Sequence, residues 1–161
     1  MLQVIKEVER SMGYVPAADA SGVEYPILEG QPLMLTSDGK IKPYDGTTGT
    51  FPMGLAAESN VQFPLQGKPY TAGYGFDYSR FNRGGLISFF FAGGMFELTS
   101  DVRGVPFVDT DTYEVNKPVY ANSDGKITAA SDSGANPEIG KVMKFTVASD
   151  KVVSLVIKLT I

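Results

Sequence analysis

Three acidic residues in one short stretch are the first candidates for chemistry, because carboxylates are oxygen ligands for hard cations. They lie in Asp109-Thr110-Asp111-Thr112-Tyr113-Glu114. A calcium-binding EF-hand loop needs glycine at its sixth position and a bidentate glutamate at its twelfth, but these positions hold Glu114 and Tyr120. The stretch fails both requirements, so we predict a solvated turn between two strands and no metal site.

A second candidate is Tyr78-Ser79-Arg80-Phe81-Asn82-Arg83, in which aromatic residues alternate with arginines. This pattern occurs on stacking platforms for single-stranded nucleic acid, but such binding also requires a basic groove that two arginines do not provide. Tyr and Arg are also enriched at protein interfaces. The net charge is −4, so we predict no nucleic-acid partner. We assign Tyr78, Arg80, Phe81 and Arg83 to a protein interface.

The chain lacks two residue types on which enzyme catalysis often depends. There is no histidine and no cysteine, which excludes triads built on a histidine base, thiol nucleophiles and thiolate metal sites. We therefore predict that the protein is not an enzyme and uses no cofactor.

The composition favours an all-β fold. Eighteen glycines, ten prolines and no tryptophan are typical of many short strands joined by tight turns. The first ten residues carry charges where a signal peptide needs an apolar stretch, and no run of ~18 apolar residues occurs. We expect neither export nor a membrane-spanning helix.

The chain repeats itself. Residues 32–42 recur 86 positions later as residues 118–128, and Met53-Gly54 falls on Ile139-Gly140 at the same shift. In each copy a strand enters a Ser-Asp-Gly-Lys turn, and Asp-Gly is the favoured pair for a two-residue type I′ hairpin, in which both central residues have positive φ. Glycine in the Gly54 strand is expected to permit a close approach of another backbone.

These patterns predict one β domain over residues 28–161, with the internal repeat at about 29–57 and 115–143. We expect a small β-barrel or sandwich built from two related hairpin-containing halves. Between the repeats, Gly84–Gly94 contains three consecutive phenylalanines. Such a strand buries side chains on both faces, which requires a central position in the fold or an interface over it.

Residues 1–27 are predicted to form a short helix followed by an arm. Val4, Ile5, Val8 and Met12 recur near helical spacing, so residues 2–12 fit an amphipathic helix, and the Ala-, Ser- and Pro-rich segment from Tyr14 onwards fits an extended arm. A helix this short is marginal in water and must dock on its own chain or on a neighbouring molecule. Both alternatives stay open, and we assign Val4, Ile5, Val8 and Tyr14 to the interface.

The repeated segments resemble a pattern of tailed-bacteriophage capsid decoration (cement, or head-stabilising) proteins, in which a Gly-x-Pro/Val-apolar strand, a turn, a short strand and a Gly-apolar-Ala strand build small β-barrels. The first copy of the pattern is Gly30-Gln31-Pro32-Leu33-Met34-Leu35, Ser37-Asp38-Gly39-Lys40-Ile41 and Met53-Gly54-Leu55-Ala56. The second is Val105-Pro106-Phe107-Val108-Asp109, Asn116-Lys117-Pro118-Val119-Tyr120, Lys126-Ile127-Thr128 and Ile139-Gly140-Lys141-Val142. The Phe-rich middle and the N-terminal segment depart from it.

The resemblance implies a structural viral protein that is made in the host cytoplasm and becomes part of the virion. It would bind the major capsid protein on the outer surface of the assembled capsid and bridge neighbouring subunits as a homo-oligomer, a trimer in preference to a dimer. The alternative is a carbohydrate-directed, ligand-binding β-barrel module of a phage or bacterial surface protein, with Tyr70, Tyr74 and Tyr78 as stacking platforms.

Overall fold

A computed structural model describes residues 2–6, 9–60, 86–91, 93–100 and 104–161. Within these residues the chain is all-β, as predicted, and its one helical element is the three-residue 3-10 turn Asp132–Gly134. The described residues contain no helix that is long and apolar enough to cross a membrane.

The strands form two antiparallel sheets. In chain order they are β1 Leu2–Lys6, β2 Glu9–Arg10, β3 Pro32–Leu35, β4 Ile41–Pro43, β5 Gly54–Ala56, β6 Phe89–Phe91, β7 Gly94–Thr99, β8 Pro118–Ala121, β9 Ile127–Thr128, β10 Glu138–Ala148 and β11 Lys151–Leu159. The larger sheet has the order β1-β7-β11-β10-β8-β9, and the smaller has the order β2-β6-β5-β3-β4.

The two copies of the repeated sequence form equivalent sets of strands. β3 lies between β4 and β5 in the smaller sheet, and β8 lies between β9 and β10 in the larger sheet. The register is also equivalent, because Leu33 pairs with Gly54 and Val119 pairs with Gly140. We call these sets repeat unit 1 (β3, β4 and β5) and repeat unit 2 (β8, β9 and β10).

The equivalence extends to a segment that the shift by 86 positions does not include. Pro16 forms a parallel bridge with Ile41 at the edge of β4, and Phe107 forms a parallel bridge with Ile127 at the edge of β9. The bridging segments are not 86 positions apart, because the connections that follow them differ in length. A gap-free sequence shift therefore could not detect this part of the duplication.

The N-terminal residues form strands, so the helix predicted over residues 2–12 is wrong. β1 pairs with β7, β2 pairs with β6, and Tyr14 bridges Ile87. Val4 and Ile5 lie in β1, and Val8 lies outside the described residues. β-branched side chains favour strands, and pairing with β7 satisfies backbone groups of a segment too short to be stable as an isolated helix.

The described residues from 2 to 14 therefore run antiparallel to the described residues of 87–98 and belong to both sheets. We call this pair of segments the N-terminal ribbon. The segment from Tyr14 to Ile27, predicted as an extended arm, lies against its own chain. Ala17 donates its amide to the carbonyl of Ile41 at 2.7 Å, and Ile27 is fully buried. Of the two docking alternatives, packing on its own chain is the one that the described residues display.

The repeated Asp-Gly turns have a different geometry from the predicted one. The amide of Gly39 donates to the carbonyl of Thr36 at 3.0 Å, and only Gly39 has positive φ, at 76°. Gly125 behaves in the same way, with φ at 68°. Each hairpin therefore uses a type I turn followed by a left-handed glycine in a three-residue loop, and the type I′ prediction is wrong.

A two-residue hairpin with positive φ at both central positions does occur, between β10 and β11. Its central residues are Ser149 and Asp150, with φ values of 51° and 61°, and Ala148 pairs with Lys151 across it. The backbone is that of a type I′ turn, but neither residue is glycine.

Two clusters of side chains make up the core. The larger includes Phe96, Leu98, Phe107 and Leu155, and the smaller consists of Ile27, Leu33, Ile41, Ala56, Ile87 and Phe89. Successive phenylalanines of β6 serve different clusters: Phe89 and Phe91 pack on the smaller and Phe90 on the larger. β6 lies between β2 and β5, which confirms the predicted central strand for these residues.

Gly54 and Gly140 should tolerate no side chain. A Cβ on Gly54 would overlap the carbonyl oxygen of Phe90, and one on Gly140 would overlap that of Lys158. We expect Gly54→Ala and Gly140→Ala each to lower the free energy of unfolding by roughly 3 kcal/mol or more. The control is Gly39→Ala, where the new methyl group meets open space and only the positive φ costs about 1–2 kcal/mol. Equal losses in chemical denaturation would contradict the close-approach argument.

Substitutions in the Ser149-Asp150 turn should make the protein more stable. Asn-Gly suits a type I′ turn, so Ser149→Asn combined with Asp150→Gly should raise the free energy of unfolding by about 1 kcal/mol. Asp38→Gly is the matched control. Asp38 does not have positive φ and its carboxylate accepts from the Thr36 hydroxyl at 2.6 Å, so glycine there should lower stability. If Asp38→Gly also raised the free energy of unfolding, the assigned turn types would be contradicted.

Candidate functional site

The acidic stretch 109–114 is occupied by structural contacts. Asp109 pairs with Lys151 at 2.9 Å, and Asp111 accepts from the Thr128 hydroxyl at 2.5 Å. Tyr113 is buried, and its hydroxyl donates to the carbonyls of Val108 and Ile127, each at 3.1 Å. Burial raises the pKa of Tyr113, with a further contribution from Asp111. The described residues contain no group of three or more acids, histidines or cysteines that could hold a metal.

Few of the predicted interface residues fall in the described part of the chain. Val4 and Ile5 lie on β1 of the larger sheet, whereas Tyr14 bridges Ile87 beside the smaller sheet. Tyr14 is half-buried, and its ring stacks on Phe89 with the centroids 5.6 Å apart. The other candidates lie outside the described residues: Val8, Tyr78, Arg80, Phe81 and Arg83, with Tyr70 and Tyr74 of the carbohydrate alternative.

Tyr14 lines an open apolar groove of about 400 Å³, which we call the Met12–Met53 groove. Aromatic rings form part of its lining, with Phe89 and Phe91 6.0 Å apart between centroids. Met12 is 77% exposed and Met53 is 42% exposed. The described residues that line it are Arg10, Ser11, Met12, Tyr14, Met53, Phe89 and Phe91.

An ion pair ties Arg10 to the body of the protein. The guanidinium of Arg10 pairs with the carboxylate of Glu58, which is only 2% exposed. That carboxylate also accepts from the backbone amide of Ser88 at 2.9 Å and from its hydroxyl at 3.0 Å. Arg10 Nε donates to the same hydroxyl at 2.7 Å and the guanidinium lies 5.5 Å from the centre of the Phe90 ring. The network joins β2 to the residues after β5 and before β6.

The charge of the Arg10 guanidinium is therefore compensated within the protein, and the other described side chains that line the groove are uncharged. Exposed methionines beside aromatic rings form an adaptable apolar surface that suits contact with another protein. Sequence reasoning found Tyr14 but missed the role of Met53, Phe89 and Phe91, since they are distant in sequence. The run Phe89-Phe90-Phe91 was an available signal, because alternate side chains of one strand face opposite sides.

The comparisons with known proteins name no relative: no protein-family model, curated protein or solved structure matches the chain.

Loss of the Glu58 carboxylate should be costly. Glu58→Gln leaves Arg10 without its counter-charge beside a buried position, and we expect the free energy of unfolding to fall by about 3 kcal/mol. The control is Asp38→Asn, which breaks the exposed ion pair with Lys40 and should leave the melting temperature unchanged. If Glu58→Gln and Asp38→Asn lowered the free energy of unfolding equally, the structural role of this network would be contradicted.

Proposed function

We propose that the chain is a decoration (cement) protein, a structural viral protein without catalytic activity. It binds the outer surface of an assembled tailed-bacteriophage capsid and stabilises the head by bridging neighbouring subunits of the major capsid protein.

The observation that carries this proposal is the Met12–Met53 groove. A methionine as exposed as Met12 lies next to the partly covered rings of Tyr14 and Phe91, so apolar side chains line an open surface. Contiguous apolar surface of this kind marks contact with another molecule. The compensated charge of Arg10 favours a partner that presents apolar side chains.

The resemblance adds a second argument. The residues that carry it, including Pro32-Leu33 and Pro118-Val119, fall on β3 and β8, the central strands of the two repeat units. The two units share their strand pairing, so one chain presents two related sets of strands to a partner that is itself repetitive, as the subunits of a capsid are. Contacts through both units would join neighbouring capsid subunits with a gain from effective concentration.

Capsid binding is tested by sedimenting the protein with capsids of the phage whose genome encodes it. The wild-type protein should sediment with the capsids. Met12→Glu and Met53→Glu place a charge in the groove and should weaken retention at least about tenfold, which corresponds to ~1.4 kcal/mol. Val23→Glu and Val115→Glu change exposed valines outside the groove and should bind as the wild type does. Equal retention of all variants would remove the groove from the proposal, and no retention of the wild type would overturn the proposal itself.

The oligomer is tested separately from capsid binding. We propose a homotrimer in preference to a dimer, so light scattering of the purified protein should give a mass of three 17.3 kDa chains. A mass that stays at one chain at micromolar concentration would contradict the oligomer and leave the docking proposal standing.

A further inference from the structure

A second groove lies between loops that occupy equivalent positions in the two repeat units. Residues 45–51 lie in the connection from β4 to β5, and residues 131–137, which lie 86 positions later, lie in the connection from β9 to β10. The groove has a volume of about 350 Å³. We call it the inter-repeat groove, and its lining is Tyr44, Gly46, Thr47, Thr48, Gly49, Thr50, Phe51, Gly134, Ala135 and Pro137.

The lining is hydroxyl-rich and carries no charged side chain among the described residues. The hydroxyl of Thr47 donates to Asp45 at 2.6 Å, and that of Thr50 donates to the carbonyl of Thr47 at 2.5 Å. A hydroxyl that donates within the loop keeps lone pairs with which to accept from a ligand. The Thr48 side chain makes no hydrogen bond to the described residues, so it can both donate and accept.

The neighbouring acid is unavailable to a cationic ligand. Asp45 receives hydrogen bonds from Lys42 Nζ at 2.5 Å and from the Thr47 amide at 3.0 Å. These contacts, with that of the Thr47 hydroxyl, hold the pKa of Asp45 at about 2, so its carboxylate is ionised and already compensated. The described lining of the groove therefore offers no free charge to an ionic ligand.

Phe51 supplies an exposed aromatic ring to this groove. Its side chain is 71% exposed, which is unusual for phenylalanine and leaves the ring available for contact. An aromatic face can stack on the C–H face of a sugar ring, while hydroxyl groups around it bind the sugar hydroxyls.

The groove is held open by packing between the two repeat units. Gly46 lies so close to the β8–β9 hairpin that an added Cβ would be 3.0 Å from the Cβ of Ser123. A Cβ on Gly125 in that hairpin would be 2.8 Å from the Cβ of Pro43. The hairpin turn of unit 2 therefore supports the loop of unit 1. A site fixed in this way loses little conformational entropy when a ligand binds.

We propose that the inter-repeat groove binds a neutral saccharide, with Phe51 stacking on a sugar ring and Thr48 exchanging hydrogen bonds with its hydroxyls. The uncharged lining, with its threonine hydroxyls, favours a polyhydroxylated ligand over a phosphate or a carboxylate. Among the residues that the structure describes, this site shares none with the Met12–Met53 groove. Saccharide binding and capsid docking can therefore fail independently.

The test begins with an array of neutral glycans probed with the full-length protein. A retained glycan is then titrated into ¹⁵N-labelled protein. Binding in the groove should shift the amide signals of Gly46, Gly49 and Gly134, with dissociation constants in the millimolar to micromolar range. No retained glycan, or shifts confined to residues outside the groove, would overturn the proposal. If the amide signals of these glycines shifted on addition of an unstructured peptide but of none of the glycans, the groove would be a peptide site and the saccharide proposal would be overturned.

Two variants separate the roles of the ring and the hydroxyl. Phe51→Ala should weaken glycan binding at least about tenfold, and Thr48→Val, which keeps the side-chain shape, should weaken it severalfold. Both residues are exposed, so the melting temperature should stay that of the wild type. Val115→Ala removes an exposed side chain elsewhere and should bind normally. Unchanged affinity in the Phe51 variant would contradict the stacking role.

Discussion

The close contact of two backbones at Gly54 and Gly140 is the constraint on which much of this structure depends. In repeat unit 1 the carbonyl of Phe90 lies where a side chain of residue 54 would be, and in unit 2 the carbonyl of Lys158 does the same at residue 140. Each glycine thereby lets a further strand, β6 or β11, pair beside the repeat unit. The contact at Gly54 in turn places Phe89 and Phe91, which line the Met12–Met53 groove.

The N-terminal ribbon joins the two sheets, each of which contains one repeat unit. Its two segments pass together from the larger sheet, where Leu2 pairs with Leu98, to the smaller sheet, where Glu9 pairs with Phe91. The buried carboxylate of Glu58 fixes the ribbon at Arg10, because it binds that side chain and the amide of Ser88 together. The groove thus forms where the ribbon meets Met53, the residue before β5. Its geometry depends on this polar network.

The sequence predicted what depends on local pattern and composition. The all-β class, the central strand at Phe89–Phe91 and the close approach at Gly54 all follow from residue types in short windows. The prediction of a helix over residues 2–12 is wrong because the spacing of Val4 and Ile5 fits both a helix and a strand. The strand forms because this segment pairs with β7, which is distant in sequence. The type I′ turn was assigned to Asp38-Gly39 from a pair preference, whereas the structure has that backbone at Ser149-Asp150. Both grooves combine residues from distant segments, which no local pattern reveals.

The two repeat units keep their strand pairing and differ in their loops, and this difference bears on function. Register at Leu33–Gly54 and Val119–Gly140 is equivalent, so backbone geometry is common to both units. The connecting loops differ, since residues 45–51 are rich in threonine and end in the exposed Phe51, whereas residues 131–137 end in Pro137. Rigid paired strands with divergent loops are the usual way in which one scaffold carries binding. The loop of unit 1 supplies the ring and the hydroxyls, and unit 2 supplies the opposing wall.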